Sequence, residues 1–417
     1  MRILLTLHNF YPERLYGAEN ICIEQMREFL RRGHDVGLFY ACNDEVDKDF
    51  LVPMGLERLR LFRIGFARTK GQVILSAWKP HVKRHFANTI DEFNPDIVVF
   101  HHLVRLSIDL PLLAWRRRIT TVYHLHDFYP VCPSYSLLTD KEDICPGGSP
   151  FKCAKCLYSA RFKDTNILPD SVHLLGVPLL IMRNRLFRKI RDRVDLFVSP
   201  SKFLLEEMVR HGFTCKNSTV IPNSIGEVGA PVAPSKTTTV RFGFLGNISK
   251  KKGIEVLVRA FGGSLATSLV VQGFPDADSI RRFKKLFPDF DAKLELFNPD
   301  REVFYSKVDV VVVPSIWLEN QPTVVIEAFA FGKTVLCSNL GGMAELVQNG
   351  VSGMLFKAGD SDDLREKAEY LRDNPSEVFR LAASVPKWPT IQEQADRLLE
   401  AYSRLLPHDS PLKAQNV

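Results

Sequence analysis

No apolar run in this chain approaches the roughly 18 consecutive residues of a membrane-spanning helix, so no span is expected. Met1 to His8 turns polar after only a few apolar positions, too soon for the core of a secretion signal. Both absences point to a cytosolic protein. An excess of one charge is also lacking: 55 basic against 48 acidic residues leave +7 over 417 residues. That balance suits an anionic small substrate or an anionic membrane surface and gives little support to nucleic-acid binding. The three-glycine loop of dinucleotide-binding folds is missing. A single Gly17 stands after the first apolar run, so NAD is not supported. Cysteine numbers only 8. In a cytosolic chain these read as free thiols or metal ligands rather than disulfides.

What is present is alternation. Ile3–Leu7 reads as a buried strand, followed by a polar loop through Gly17 and a helix carrying Ile21, Ile23, Met26, Phe29 and Leu30 at helical spacing. Gly17 lets the backbone approach a ligand closely. Further strands are expected at 35–40, 96–101, 120–126 and 195–201, with a helix over 106–118. Residues 225–238 have linker composition. A second set follows, with strands at 240–245, 268–272 and 293–297 and helices at 253–262, 279–287 and 301–306. The fold class is α/β, two Rossmann-like halves facing a cleft. The boundaries read as 1–224 for the first domain, 225–238 for the linker, 239–388 for the second domain, 389–407 for a terminal helix and 408–417 for a disordered tail.

The second half centres on Val308–Gly342. Val310–Val313 is a short unbroken apolar run, the mark of a strand buried on both faces. Pro314 and Ser315 end it, and Pro322 suits the first position of a helix. Amides near Thr323 and Val324 would attract phosphate. Glu327, a turn into the helix, would reach ribose hydroxyls beside that phosphate, and Glu319 in the loop would sit nearer what the phosphate carries. Gly246–Gly253, with Lys250, Lys251 and Lys252, reads as a phosphate cradle before a helix. His126–Asp127 stands at another strand end, where ligands bind in open α/β sheets. A histidine there can donate to a sugar hydroxyl or a phosphate.

Two stretches fall outside this pattern. Residues 128–160 form an insert rich in Pro, Gly and Ser, punctuated by Cys132, Cys145, Cys153 and Cys156. Four thiolates can hold a tetrahedral Zn2+ and tie down a loop of little apolar content; the alternative is reduced cysteines without metal. Residues 171–193 form a basic amphipathic stretch. It reads as a core-packed helix with a solvated basic face or, alternatively, as a docking element for anionic lipid.

Pro314-Ser315, Glu319, Glu327-Ala328, Gly332-Lys333, Gly341-Gly342 and Glu345 fall in an order that resembles the retaining glycosyltransferases of family 4. The resemblance implies the GT-B fold, with the terminal helix after Trp388 crossing back to the first domain. It implies that Glu327 binds the donor ribose and that Glu319 lies near the transferred sugar. Asn320, Gln321, Pro322 and Thr323 would hold the distal phosphate, Lys252 the diphosphate, and His126 would contact the donor sugar. Gly17 matches the family's close-approach glycine. Asn247 departs from the pattern, since the family usually has arginine there.

The function implied is a retaining, metal-independent transfer of a sugar from a nucleotide-diphosphate sugar, UDP by default, to a hydroxyl acceptor. The setting would be cell-surface polysaccharide or glycolipid assembly. Partners would be that donor, a sugar or lipid-linked acceptor and anionic membrane contacted peripherally at the inner face, with no nucleic acid. No catalytic cofactor is required; a structural Zn2+ at the insert is the only metal expected. A GT-B sugar-nucleotide epimerase and a weakly catalytic nucleotide-sugar-binding protein are the alternatives. A manganese-dependent enzyme using Asp276-Ala-Asp278 or Asp289-Phe-Asp291 would not account for two α/β halves.

Overall fold

The computed structural model describes every residue except 12–16, 66–77, 163–169, 227–238, 263–264, 266–267 and 407–417. Most of the expected linker and the whole of the expected tail lie outside that set. The chain divides into two compact units, Met1–Asn223 with Ile391–Val417, and Ser224–Thr390.

The first unit is a seven-stranded sheet, its strands β1 (Arg2–Leu7), β2 (Asp35–Ala41), β3 (Arg60–Ile64), β4 (Ile97–Phe100), β5 (Thr120–His124), β6 (Leu196–Ser199) and β7 (Ser218–Val220) in the order β3-β2-β1-β4-β5-β6-β7. Every pairing is parallel. The order reverses between β1 and β4, so the loops after these two strands diverge and leave a crevice at their carboxyl ends. The central strands are apolar along their length because both faces are covered: Ile3, Leu4, Leu5, Val98 and Val99 have no exposed surface.

The terminal helix Ile391–Leu405 belongs to this first unit. Ile391, Ala395, Leu398 and Tyr402, spaced four, three and four residues apart, form its buried stripe. Ala395, Leu398 and Tyr402 share a core with Cys22, Met26 and Phe29 of the helix Gly17–Arg31. Gln25 and Gln394 bond to each other across the same seam, and Gln394 donates to the Pro222 carbonyl.

The second unit repeats the plan with six parallel strands, β8 (Phe242–Leu245), β9 (Leu269–Phe274), β10 (Lys293–Leu296), β11 (Val310–Val313), β12 (Thr334–Ser338) and β13 (Gly353–Phe356), in the order β10-β9-β8-β11-β12-β13. Its reversal lies between β8 and β11. The four valines of β11 pair with β12 along their whole length and with β8 at Val310 and Val311.

Several expected boundaries shift. The helix expected over 106–118 runs Leu110–Arg116, because Ser107 and Asp109 bond to each other in a turn that precedes it. The helix expected over 253–262 is broken: Lys250–Lys252 is a 3-10 turn closed by Gly253 at φ 75°, and the α-helix starts at Ile254. Pro322 is the N-cap rather than the first helical residue of Thr323–Ala330. The cysteine insert, expected as loop, contains the helix Pro150–Phe162. In Val177–Arg193 the buried stripe is Val177, Leu180, Arg183, Phe187 and Ile190. Arg183 therefore points inward, contrary to the solvated basic face expected of that stretch.

Candidate active site

In the second unit the loops after β8 and β11 meet at the switch point. The β8 loop ends on Gly253, where a Cβ would lie 1.7 Å from the Pro314 carbonyl oxygen, so only glycine lets the two loops touch. The Ile316 amide donates to the Lys251 carbonyl, fixing their register. This places Lys252 Nζ 2.6 Å from Glu319 Oε1. The same oxygen accepts from Ser315 Oγ at 2.9 Å and Trp317 Nε1 at 2.7 Å. Burial pushes the Glu319 carboxyl up, but Lys252 and the two neutral donors outweigh it and hold the group below its ordinary range. Oε2 is not engaged by these donors. Lys251 Nζ lies 4.6 Å from the Trp317 ring centroid, adding positive charge to the same wall.

From below, Glu319 is held by the glycine pair. The Gly342 amide donates to the Glu319 carbonyl at 2.7 Å, and a Cβ on Gly342 would fall 1.8 Å from the Asn320 carbonyl oxygen. Asn320 is half-buried and Gln321 buried in the turn that leads to Pro322 and Thr323. Glu327 follows one turn into the helix. Its Oε2 accepts from Tyr305 Oη at 3.0 Å and lies 3.7 Å from Arg301 Nε. Burial raises the Glu327 carboxyl, and Arg301 and Tyr305 only partly offset that. Asn247 is exposed in the loop after β8.

In the first unit the carboxyl ends of β1, β4 and β5 carry a histidine cluster. His126 Nε2 lies 2.9 Å from His101 Nδ1. His124 Nε2 lies 2.9 Å from the hydroxyl of Tyr402 on the terminal helix. The Val104 amide donates to His102 Nδ1, so the His102 proton sits on Nε2 and is donated to Asp127 Oδ2 at 2.9 Å. His8 pairs with the buried Glu19 at 3.1 Å. Burial and then neighbouring His102 push His126 down to about 4. Burial also lowers His8, His101 and His124 well below the usual imidazole value. His8, His101, His124 and His126 are therefore neutral at pH 7. His101, His124 and His126 offer ring nitrogens within 4.8 Å of one another, the metal-compatible grouping among the described residues. Gly17 opens the helix Gly17–Arg31, and the space where its Cβ would stand is empty to 4 Å.

The structure thus brings Lys252 onto Glu319 and sets Asn320, Gln321, Pro322, Thr323 and Glu327 along one loop and helix of the second unit. Gly17 and His126 lie in the first unit. Sequence reasoning missed Ser315 and Trp317 as donors to Glu319, Tyr305 and Arg301 as partners of Glu327, and His101, His102 and His8 around His126. The available signal was position: each of these histidines lies just past the end of a parallel strand.

A family model described as Glycosyltransferase Family 4 matches residues 16–226, half of the chain. The chain belongs to glycosyltransferase family 4. A second model, Glycosyl transferases group 1, matches residues 231–388. Among relatives of this family 4 glycosyltransferase, an uncharacterized 42.6 kDa protein in the cps region of Klebsiella pneumoniae is 23% identical over 361 residues, covering 83% of this chain and 87% of its own. D-inositol 3-phosphate glycosyltransferase of Rhodococcus jostii is 31% identical over 184 residues, only 38% of this chain and 39% of its own. The structure of Anabaena HepE in complex with UDP aligns with a TM-score of 0.63 at 18% identity, covering 97% of this chain and 100% of that one. That likeness shows the fold, two parallel-sheet Rossmann-like domains of the GT-B type. Among the described residues no helix is long and apolar enough to cross a membrane.

Proposed function

We propose that this glycosyltransferase moves a sugar from a nucleotide-diphosphate sugar, UDP-linked by default, to a hydroxyl acceptor with retention of anomeric configuration and without a catalytic metal. The observation that carries the reading is the Lys252–Glu319 pair at the second unit's switch point, with the start of the Thr323–Ala330 helix a few residues on. An ammonium has three donors and spends one on Glu319, so two remain for a ligand. Lys252 and the amides of Thr323 and Val324 then stabilise the negative charge that develops on the departing diphosphate, a preorganised electrostatic role. Oε2 of Glu319 accepts from a hydroxyl of the transferred sugar. Oε1 of Glu327 is left to accept from ribose hydroxyls, while Tyr305 and Arg301 hold the other oxygen. His126, neutral and hydrogen-bonded to His101, serves the donor sugar as a neutral donor or acceptor.

Polysaccharide or glycolipid assembly is the family's usual setting. The basic stretches at 78–85 and 183–193, apart from the buried Arg183, fit an acceptor at an anionic membrane surface. Calorimetry with a panel of nucleotide sugars tests the donor site: wild type binds one of them and Glu327→Ala binds none. Equal binding by the variant would remove Glu327 from the site. Proton NMR of the anomeric centre during turnover reports retention, and an inverted product would overturn that part.

A further inference from the structure

The parallel register of β4 and β5 sets Phe100 opposite Tyr123, so the next residues along, His101 and His124, are neighbours on one face of the sheet. The chain stays extended past β5, where the Leu125 amide donates to the Val198 carbonyl, and His126 returns to the same side two positions after His124. Three imidazoles are thereby gathered at the carboxyl ends of two adjacent strands. Ring centroids lie 4.6 Å apart for His101 and His124, 5.1 Å for His101 and His126, and 6.1 Å for His124 and His126. His101 and His124 are buried, and His126 is half-buried.

Hydrogen bonding within the protein does not use up these rings. His101 Nδ1 and His126 Nε2 share one contact at 2.9 Å, while His101 Nε2 is buried with no partner among the described residues. Each of the three rings offers a nitrogen within 4.8 Å of the other two. A tetrahedral zinc ion with Zn–N bonds of about 2.0–2.1 Å holds its ligand nitrogens roughly 3.3 Å apart. The His101–His126 pair is already within a few tenths of an ångström of that spacing, and rotation about the broad χ2 torsion of histidine brings the third ring in. Outer partners are in place as well. His124 Nε2 is tied to the Tyr402 hydroxyl at 2.9 Å, the kind of contact through which the second nitrogen of a metal-binding imidazole is held. Asp127, next to His126 and bonded to His102, supplies negative charge beside the cluster. Among the described residues the four cysteines of the insert are not brought into such a group.

We propose that His101, His124 and His126 form a three-imidazole binding site for a divalent transition-metal ion, and that the loaded site holds the enzyme inactive. Imidazole suits zinc, copper, nickel and iron alike, and zinc is the test ion. Coordination uses three ring lone pairs. The proton shared between His101 and His126 moves to the far nitrogen of the ring that carries it, so no proton is lost and nothing is oxidised or reduced. Water fills the fourth position on the half-buried side, at His126, by which the ion enters. The ion is no part of the transfer step. It fixes the His126 ring and takes one of its nitrogens away from the donor sugar. This inhibitory effect rests on the proposed role of His126 at the donor; the metal site itself does not.

The test uses the full chain without a histidine tag, stripped with chelator and dialysed. Zinc titrated by calorimetry should bind at about one ion per chain, and His101→Gln should lose that stoichiometric binding. Cobalt(II) on the wild-type protein gives a second reading that needs no variant to fold. Tetrahedral nitrogen ligation produces strong visible ligand-field bands without the near-ultraviolet thiolate charge-transfer band that cysteine ligands would add. A protein that binds no zinc, one whose His101→Gln variant binds zinc as tightly as wild type, or one whose single cobalt ion shows the thiolate band overturns the site. With zinc bound, turnover of the donor should fall about tenfold or more, and chelator should restore it. Full turnover with zinc bound overturns the inhibitory effect alone. Failure of every nucleotide sugar to bind the metal-free protein would instead overturn the donor-site reading and leave the metal site standing.

Discussion

Lys252 and Glu319 are 67 positions apart in sequence and 2.6 Å apart in space. Each comes from a loop at the carboxyl end of a central strand, β8 or β11, on the two sides of the second sheet's reversal. The pair is largely buried, and Ser315 and Trp317 donate to the same carboxylate oxygen, so the desolvated charge of Glu319 is compensated on one side. Removing either partner therefore does more than delete a contact, because it leaves the other charge buried and unpaired.

Lys252→Ala should lower kcat/KM by about 10²- to 10³-fold, the scale of losing one preorganised donor to a developing anion. The same change releases Glu319 from the cation that holds its carboxyl below the ordinary range. The acid limb of the pH–rate profile should therefore move to higher pH. Steady-state kinetics across pH checks both. A variant with wild-type kcat/KM would remove Lys252 from the diphosphate site.

Tyr305→Phe isolates the support of Glu327. The phenol donates to Oε2 at 3.0 Å, and its ring stacks on Phe331 with centroids 4.5 Å apart. Phenylalanine keeps the stacking and loses only the donor. A hydrogen bond to a charged acceptor contributes about 1.5 kcal/mol, so nucleotide-sugar affinity should fall roughly tenfold while the fold is retained. Calorimetry reads the first and thermal unfolding the second. Unchanged affinity would mean that Glu327 needs no such support.

Stability should decline on the acid side, and the sign follows from the histidine cluster. The His126 imidazole is held down to about 4 by burial and His102, against about 6.5 when unfolded. Above 6.5 both states are neutral there and the folded state is at full stability. As pH falls from 6.5 towards 4, the unfolded chain takes up protons that the folded chain refuses, and stability is lost. His8, His101 and His124 act in the same direction. Glu319, whose carboxyl is depressed, adds a loss at lower pH as the folded group finally protonates. Urea unfolding at pH 7.5, 6.5, 5.5 and 4.5 should show a falling midpoint below 6.5. A constant midpoint down to pH 5 would contradict a neutral buried cluster.

The parts of this architecture that local chemistry dictates were legible in the sequence. Four successive valines can only be a doubly covered strand, and Val310–Val313 is one. Glu319 and Glu327 could be singled out because a strand, a proline and a helix start bracket them within a few residues. Their partners could not. Tyr305 lies 22 positions from Glu327, and nothing local distinguishes it from any other tyrosine. Trp317 was in plain view, yet its indole N–H becomes a donor to Glu319 only through the path of the loop. Arg183 misled for the same reason. Amid the arginines of 183–193 it reads as solvated, and only the phase of its helix, set by packing at Val177, Leu180, Phe187 and Ile190, turns it inward. The break at Gly253 was equally hidden, since it arises from contact with Pro314, a residue 61 positions away.

Lys333 offers a stability test away from any ligand. It follows Gly332 at the turn from the Thr323–Ala330 helix into β12 and is 1% exposed. Among the described residues its ammonium has no hydrogen-bond partner, and Asp309, the acidic group that acts on it, is already engaged by two nitrogens of Arg241. Burial lowers the Lys333 ammonium from its usual value, with Asp309 opposing and Arg241 reinforcing that shift. Lys333 sits at the amino end of β12, whereas Lys252 and Glu319 lie at the carboxyl ends of strands, so the two effects separate spatially. Methionine has a similar length and no polar atom to desolvate. Lys333→Met should raise unfolding stability by about 1–2 kcal/mol and leave nucleotide-sugar affinity unchanged. Chemical denaturation of both proteins at pH 7 decides. A loss of more than about 1 kcal/mol would show instead that the attraction to Asp309 outweighs the desolvation of the ammonium.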